Sequence, residues 1–308
     1  MGKIAYVFPG QGAQAVGMGK DAYESNAKAR AIFDQADAAL GFPISKLAFE
    51  GPDDELRQTA NTQPALLATS IALLETYKSQ NVKPDYVAGH SLGEYSALVA
   101  AGVLDFGDAV RLVRARGQFM EQAVPSGQGA MAAVLGAERE QLQSLCSTIT
   151  ATGDIVELAN VNCPGQIVVS GSAEGVAAVG ERGKEAGAKR VIPLDVSGPF
   201  HSSLMQPAAD KLAGELAKAE FRSAQVPVIA NVHAKPVTSG DELRELLVQQ
   251  VVSPVQWEDT IKFLIGQGVD TFVEIGSGTV LAGLIKKIDK SVQVISINSA
   301  AAATAVAQ

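Results

Sequence analysis

Short apolar runs at 3–9, 85–89, 227–231, 271–275 and 292–297 alternate along the chain with longer stretches, at 64–78, 106–122, 203–219 and 279–288, where apolar residues recur every three or four positions. Runs of the first kind predict strands buried on both faces, and stretches of the second kind predict amphipathic helices. Short strands joined by helical crossovers predict a parallel α/β sheet. At the helix starts, Asn61 or Thr62 is placed to cap ahead of Pro64, and Asp241 to cap the run from Glu242 to Gln250. The Ala-rich tail beyond Ala300 is expected to fray.

Between 127 and 198 the pattern changes to strand (130–135), helix (138–147), strand (156–161), a Cys163-Pro164-Gly165 turn, strand (167–170), helix (173–186) and strand (190–194). That is the β-α-β-β-α-β order of a ferredoxin-like unit. Pro125 with nearby glycines at its entrance, and Gly198-Pro199 at its exit, read as linkers. The expectation is a large α/β-hydrolase-like domain made of 1–126 and 199–308, a small ferredoxin-like domain inserted at 127–198, and a cleft between them suited to a substrate.

Composition narrows the function classes. At 308 residues and 47% apolar content the chain can bury a sizeable core. No apolar segment is long enough to span a bilayer, and the first residues run into Ile4-Ala5-Tyr6-Val7-Phe8 without a signal-peptide layout. The expectation is a cytoplasmic protein that meets no membrane. Two cysteines, Cys146 and Cys163, exclude a disulfide framework and make no metal spacing, so no metal is expected. A net charge of −8 argues against a nucleic-acid binder.

The candidate chemistry centres on Gly89-His90-Ser91-Leu92-Gly93, which follows the apolar Tyr86-Val87-Ala88 and opens a helical run from Glu94 to Ala101. This is the setting of a nucleophile elbow, with the Ser91 hydroxyl at the tip of a sharp turn and the Leu92 N–H free to meet an oxyanion. A serine needs a base, and there are three histidines. His90 adjoins Ser91 in a turn where neighbouring side chains diverge, and His233 stands in a loop. His201, where the chain leaves the small unit, is the expected base, although a packing or capping role fits that pattern nearly as well. The imidazole could be oriented by Asp105, Asp154 or Asp195, none in a recognisable signature, or by a backbone carbonyl.

Six stretches, in order along the chain, carry a resemblance: Phe8-Pro9-Gly10-Gln11-Gly12, the elbow from Gly89 to Glu94, Arg116-Gly117, Asn160-Val161-Asn162-Cys163-Pro164-Gly165-Gln166, Gly198-Pro199-Phe200-His201, and Pro254-Val255-Gln256-Trp257. Together they resemble the malonyl-CoA:acyl carrier protein transacylase family, over the full length. The resemblance implies that Ser91 becomes malonylated and that His201 is the base, oriented by the backbone carbonyl of Gln250. It implies that Arg116 holds the malonyl carboxylate and that Gln11 joins the Leu92 N–H in the oxyanion hole. An arginine fork matches a carboxylate in shape and charge. His90, Asn160 and Asn162 are expected to line the substrate site, and Phe200, a bulky neighbour of the base, suits an unbranched malonyl group.

The reaction so implied exchanges thioester for thioester, with malonyl-CoA as donor, the phosphopantetheine of acyl carrier protein as acceptor, and no cofactor. Carrier proteins are typically acidic, so a local basic surface has to overcome this chain's own acidity. Lys286 and Lys287, with Lys189 and Arg190, are the candidates. A monomer is expected. Two other classes remain, a serine hydrolase or thioesterase sharing the elbow, and a non-catalytic carrier-binding protein.

Overall fold

A computed structural model describes residues 2–305. Its ten strands are β1 (Lys3–Phe8), β2 (Tyr86–Gly89), β3 (Gly129–Leu135), β4 (Val156–Cys163), β5 (Gln166–Ser172), β6 (Arg190–Pro193), β7 (Val228–Ile229), β8 (Pro236–Val237), β9 (Val269–Ile275) and β10 (Gln293–Ile297). They form two sheets. The larger runs β10-β9-β1-β2-β7-β8 and is parallel except for β8, a two-residue edge strand that hydropathy does not reveal.

The strands in the middle of the large sheet are mostly apolar because both faces are covered. Tyr6, Phe8, Val87, Val228 and Val273 enter one core, while Ala5, Val7, Ala88, Ile229 and Phe272 enter another on the opposite face. Alternation along each strand thus feeds two cores. The smaller sheet runs β4-β5-β3-β6, all antiparallel, the strand order of a ferredoxin-like unit. It has a core of its own around Val134, Leu142, Cys146, Val169 and Val179.

The two sheets meet through backbone and charge. The Val161 N–H donates to the Val255 carbonyl at 2.9 Å, and the Val255 N–H to the Ala159 carbonyl at 2.8 Å. Arg139 donates both arms of its fork to Asp259, at 2.8 and 3.0 Å. β4 is thereby fixed against Val255 and, through Arg139, the Trp257–Gly266 helix, just where Asn160 and Asn162 stand.

Three helix expectations are corrected. The helix read from position 64 spans Thr59–Tyr77, with Asn61 and Thr62 inside it and Pro64 in its second turn. Pro64 cannot donate to the Ala60 carbonyl, but Arg114 Nη1 does so at 2.8 Å, so the helix loses no partner by starting early. The Gly240–Gln250 helix is capped by Ser239, whose hydroxyl accepts the Glu242 N–H, and Asp241 lies in its first turn. Ala300–Thr304, expected to fray, forms a helix capped by the Ser299 hydroxyl, while 306–308 of that tail lie outside the described residues.

Candidate active site

β1 and β2 pair in parallel with Phe8 opposite Gly89, so the loops leaving both strands emerge side by side at the carboxyl edge of the sheet. After Gly89 the chain turns at once into the Gly93–Ala100 helix. A Cβ on Gly93 would stand 2.1 Å from the Phe8 carbonyl oxygen, so only glycine lets the helix start this close to β1. Ser91 takes the strain, with φ 52°, and His201 has φ 57°. Both sit in the left-handed region that L residues avoid, which is common where function dictates the backbone.

His201 is 4% exposed and its Nε2 lies 2.7 Å from Ser91 Oγ. Its Nδ1 lies 2.9 Å from the Gln250 carbonyl. A carbonyl only accepts, so Nδ1 carries the hydrogen and Nε2 presents its lone pair to the serine hydroxyl. Burial first, and the Arg116 charge second, push the His201 pKa down to about 3. The imidazole is therefore neutral, and able to act as a base, at neutral pH. None of Asp105, Asp154 and Asp195 orients it.

Arg116, on the Phe106–Gln122 helix, is 1% exposed. Gly117 lets that helix approach the Thr59–Tyr77 helix, since a Cβ there would stand 2.7 Å from the Ala60 Cα. The guanidinium donates through Nη1 to Gln63 Oε1 at 2.8 Å and through Nη2 to Gln250 Oε1 at 2.8 Å and Ser91 Oγ at 3.2 Å. It lies over the Tyr95 ring, 5.6 Å from the centroid. Its Nε–H has no partner among the described residues. A buried cation held by two neutral amides, with donors to spare beside the nucleophile, has the chemistry to receive an anion.

Ser91, Leu92, Arg116, His201, Gln11, His90, Asn160 and Phe200 line one cavity of about 110 Å³, closed further by Met120, Met131, Leu194 and Val196. The Leu92 N–H and the Gln11 backbone N–H make no hydrogen bond among the described residues, whereas the Gln11 side chain donates to Thr59 Oγ1 at 3.1 Å. The Gln11 backbone is thus one free donor at this edge. His90 Nε2 lies 2.8 Å from Asn162 Oδ1, tying the elbow to β4, and burial lowers the His90 pKa. His233 stays outside the site and accepts the Lys235 N–H. A larger cavity of about 620 Å³ shares Gln11, Leu194 and Val196 and carries Asp53, Asp54, Glu121 and Asp195 on its walls.

Gln63, Glu94, Asn231 and the side chain of Gln250 belong to this constellation and escaped sequence reasoning. Asn231 Oδ1 accepts the Ser91 N–H at 2.8 Å and Asn231 Nδ2 donates to the Gly89 carbonyl at 2.6 Å, gripping the elbow from both ends. The four basic candidates do not form one cluster. Lys287 donates to Gln166 at 3.4 Å, and Lys189 packs on Gly136, whose N–H bonds the Gly165 carbonyl, so these two flank the β4–β5 turn, and Arg190 pairs opposite Leu135 on β6. Lys286 instead donates to the carbonyls of Lys290 and Val292, in the loop that follows the Val280–Ile288 helix. Among the described residues no three His, Cys, Asp or Glu side chains group as a metal site, and no helix is long and apolar enough to cross a membrane.

The acyl transferase domain family matches residues 5–305. The chain belongs to the acyltransferase family. This acyltransferase is 54% identical over 298 residues to the malonyl CoA-acyl carrier protein transacylase of Bacillus subtilis, covering 97% of this chain and 94% of that protein. It is 50% identical to the protein of the same name from Staphylococcus aureus, covering 97% and 96%. The crystal structure of an acyl carrier protein S-malonyltransferase from Vibrio cholerae has a TM-score of 0.94 against it at 46% identity, covering 96% of this chain and 97% of that one. A type II PKS acyl-carrier protein in complex with its malonyl-transacylase has been solved, and it matches this acyltransferase with a TM-score of 0.94 at 44% identity, covering 98% and 97%.

Proposed function

We propose that the protein transfers malonyl from malonyl-CoA to the phosphopantetheine thiol of an acyl carrier protein, for fatty-acid or polyketide synthesis, through a malonyl ester on Ser91. It does so as a cytoplasmic monomer without metal or nucleotide, with residues 127–198 as an inserted domain over the site. Ser91 Oγ gives its proton to His201 Nε2 and attacks the thioester carbonyl. The oxyanion falls to the Leu92 and Gln11 backbone N–H groups. The tetrahedral intermediate collapses, the C–S bond breaks, and CoA leaves with the proton from His201. The carrier thiol then gives its proton to His201 and attacks the ester, and Ser91 departs by taking that proton back.

The observation that carries this reading is Arg116, whose buried guanidinium touches the nucleophile and has donors to spare. A simple esterase or thioesterase has no use for a cation there, and a non-catalytic protein has no use for a serine 2.7 Å from a neutral, tautomer-fixed imidazole. The β4–β5 turn, with Lys189, Arg190 and Lys287, is where we place the acidic carrier. The experiment follows radiolabel from malonyl-CoA with and without carrier protein, in the wild type and in K189E/K287E. Label is expected on the carrier at a rate far above release to water, and the double reversal is expected to raise KM for carrier several-fold at low salt. Release to water as the main fate would make the protein a thioesterase. Unchanged carrier kinetics in the double variant would remove this turn as the docking surface.

A further inference from the structure

The reaction as drawn leaves one buried carboxylate beside the nucleophile without a role. Glu94 is 1% exposed and lies in the first turn of the Gly93–Ala100 helix. Its Oε2 accepts the Gln250 Nε2–H at 2.7 Å and the Asn231 N–H at 3.3 Å. Burial raises its pKa to about 7, while the Gln250 and Asn231 donors and the Arg116 charge pull the other way.

Glutamine amides can turn either end toward a neighbour, and something must choose. Once ionised, Glu94 offers acceptors only, so Gln250 turns its NH2 to Glu94, and the same Nε2 also donates to the Ser91 carbonyl at 3.1 Å. The opposite end of the same amide, Oε1, then faces Arg116 and accepts from Nη2 at 2.8 Å. With the amide reversed, its NH2 would oppose the guanidinium, donor against donor, and its oxygen would oppose the carboxylate. Glu94 and Arg116, one at each end of the amide, together exclude that state. A second branch leads through Asn231 to the Ser91 N–H and the Gly89 carbonyl, and so to the shape of the elbow itself.

The geometry points to Glu94 as a positioning residue that anchors the NH2 end of the Gln250 amide and, through it, steadies the Arg116 guanidinium where the carboxylate of the acyl donor arrives. It therefore sets the preference for carboxylated donors over plain acyl groups. This rests on the malonyl reading, because only a carboxylated donor engages Arg116. The two branches separate in their effects. Loss through Asn231 and the elbow slows every donor alike, whereas loss through Gln250 and Arg116 slows carboxylated donors selectively.

The experiment measures kcat/KM for malonyl-CoA and acetyl-CoA in the wild type, E94Q, E94A, R116A and E94Q/R116A, with folding checked by circular dichroism. An amide of the same size at 94 presents either end and removes the charge that anchors the Gln250 NH2, leaving only Arg116 and the Ser91 carbonyl to hold that side chain. The malonyl-to-acetyl ratio is therefore expected to fall about tenfold in E94Q, and in the R116A background E94Q is expected to change the ratio no further, since residues acting through one partner are not additive. E94A is expected to fall at least as far, and if it fails to fold the size-conserving E94Q carries the test. A ratio unchanged in folded E94Q, or lowered equally with and without Arg116, overturns the positioning role while leaving the malonyl reading intact. A wild type that shows no preference for malonyl overturns that reading, and this inference with it.

Discussion

Replacing Arg116 with Ala is expected to lower kcat/KM for malonyl transfer by about a hundredfold and to leave acetyl transfer much less affected, so that donor selectivity collapses or reverses. A hydrogen bond to a charged group contributes about 1.5–3 kcal/mol, each 1.4 kcal/mol is a factor of ten, and a guanidinium can offer a carboxylate two such bonds. The guanidinium is desolvated and held by Gln63 and Gln250 at 2.8 Å each, so little is spent on ordering it when the donor binds. An acetyl group leaves the spare donors of that cation unpaired, which is a penalty rather than merely a missing gain. Arg116→Lys is expected to recover only part of the loss, because an ammonium is a point charge without the planar fork. The measurement is kcat/KM for the two donors side by side. An equal loss for both would make Arg116 a structural residue and remove the reason for choosing malonyl over any other acyl group.

His201→Ala is expected to slow acylation of Ser91 by roughly 10²–10⁴-fold, the range for a positioned general base. The side chain is buried between Ser91 and the Gln250 carbonyl, so rapid-quench measurement of the covalent step, rather than turnover alone, separates lost base catalysis from altered carrier binding. A loss below tenfold in a folded variant would mean that another group takes the proton. His90 cannot readily substitute, because its Nε2 is engaged by Asn162 at 2.8 Å.

The fold was legible where both faces of an element are buried, because there the apolar pattern has one cause. β1, β2 and β9 lie within a residue or two of the runs that announce them, and the six elements of the small unit come in the order read from the chain. Legibility failed where a distant partner decides. Pro64 looks like a helix start until Arg114 takes the Ala60 carbonyl, a contact between residues 54 apart in sequence. The two-residue β8 carries no periodicity at all. The site divides along the same line. Ser91 announces itself by its turn, His201 and Arg116 by their motifs, and Gln11 by a glycine loop at a strand end. Gln63, Glu94 and Asn231 have no local signature, since a buried amide or carboxylate acquires meaning only from what it meets, and Asn231 meets Ser91 across 140 residues. In the segment from 231 to 233 the histidine attracts notice as a candidate base, while the asparagine is the residue that reaches the elbow.

The central claim is a covalent malonyl-serine at the elbow. The most direct test is to mix the protein with malonyl-CoA alone, without carrier, quench in acid and map the adduct by peptide mass spectrometry. The account predicts the mass of one malonyl group on the peptide that carries Ser91, its absence in Ser91→Ala, and its disappearance from the wild type when carrier protein is added before the quench. Malonyl label on Ser91→Ala, or no label on a wild type that nevertheless charges the carrier, would contradict it.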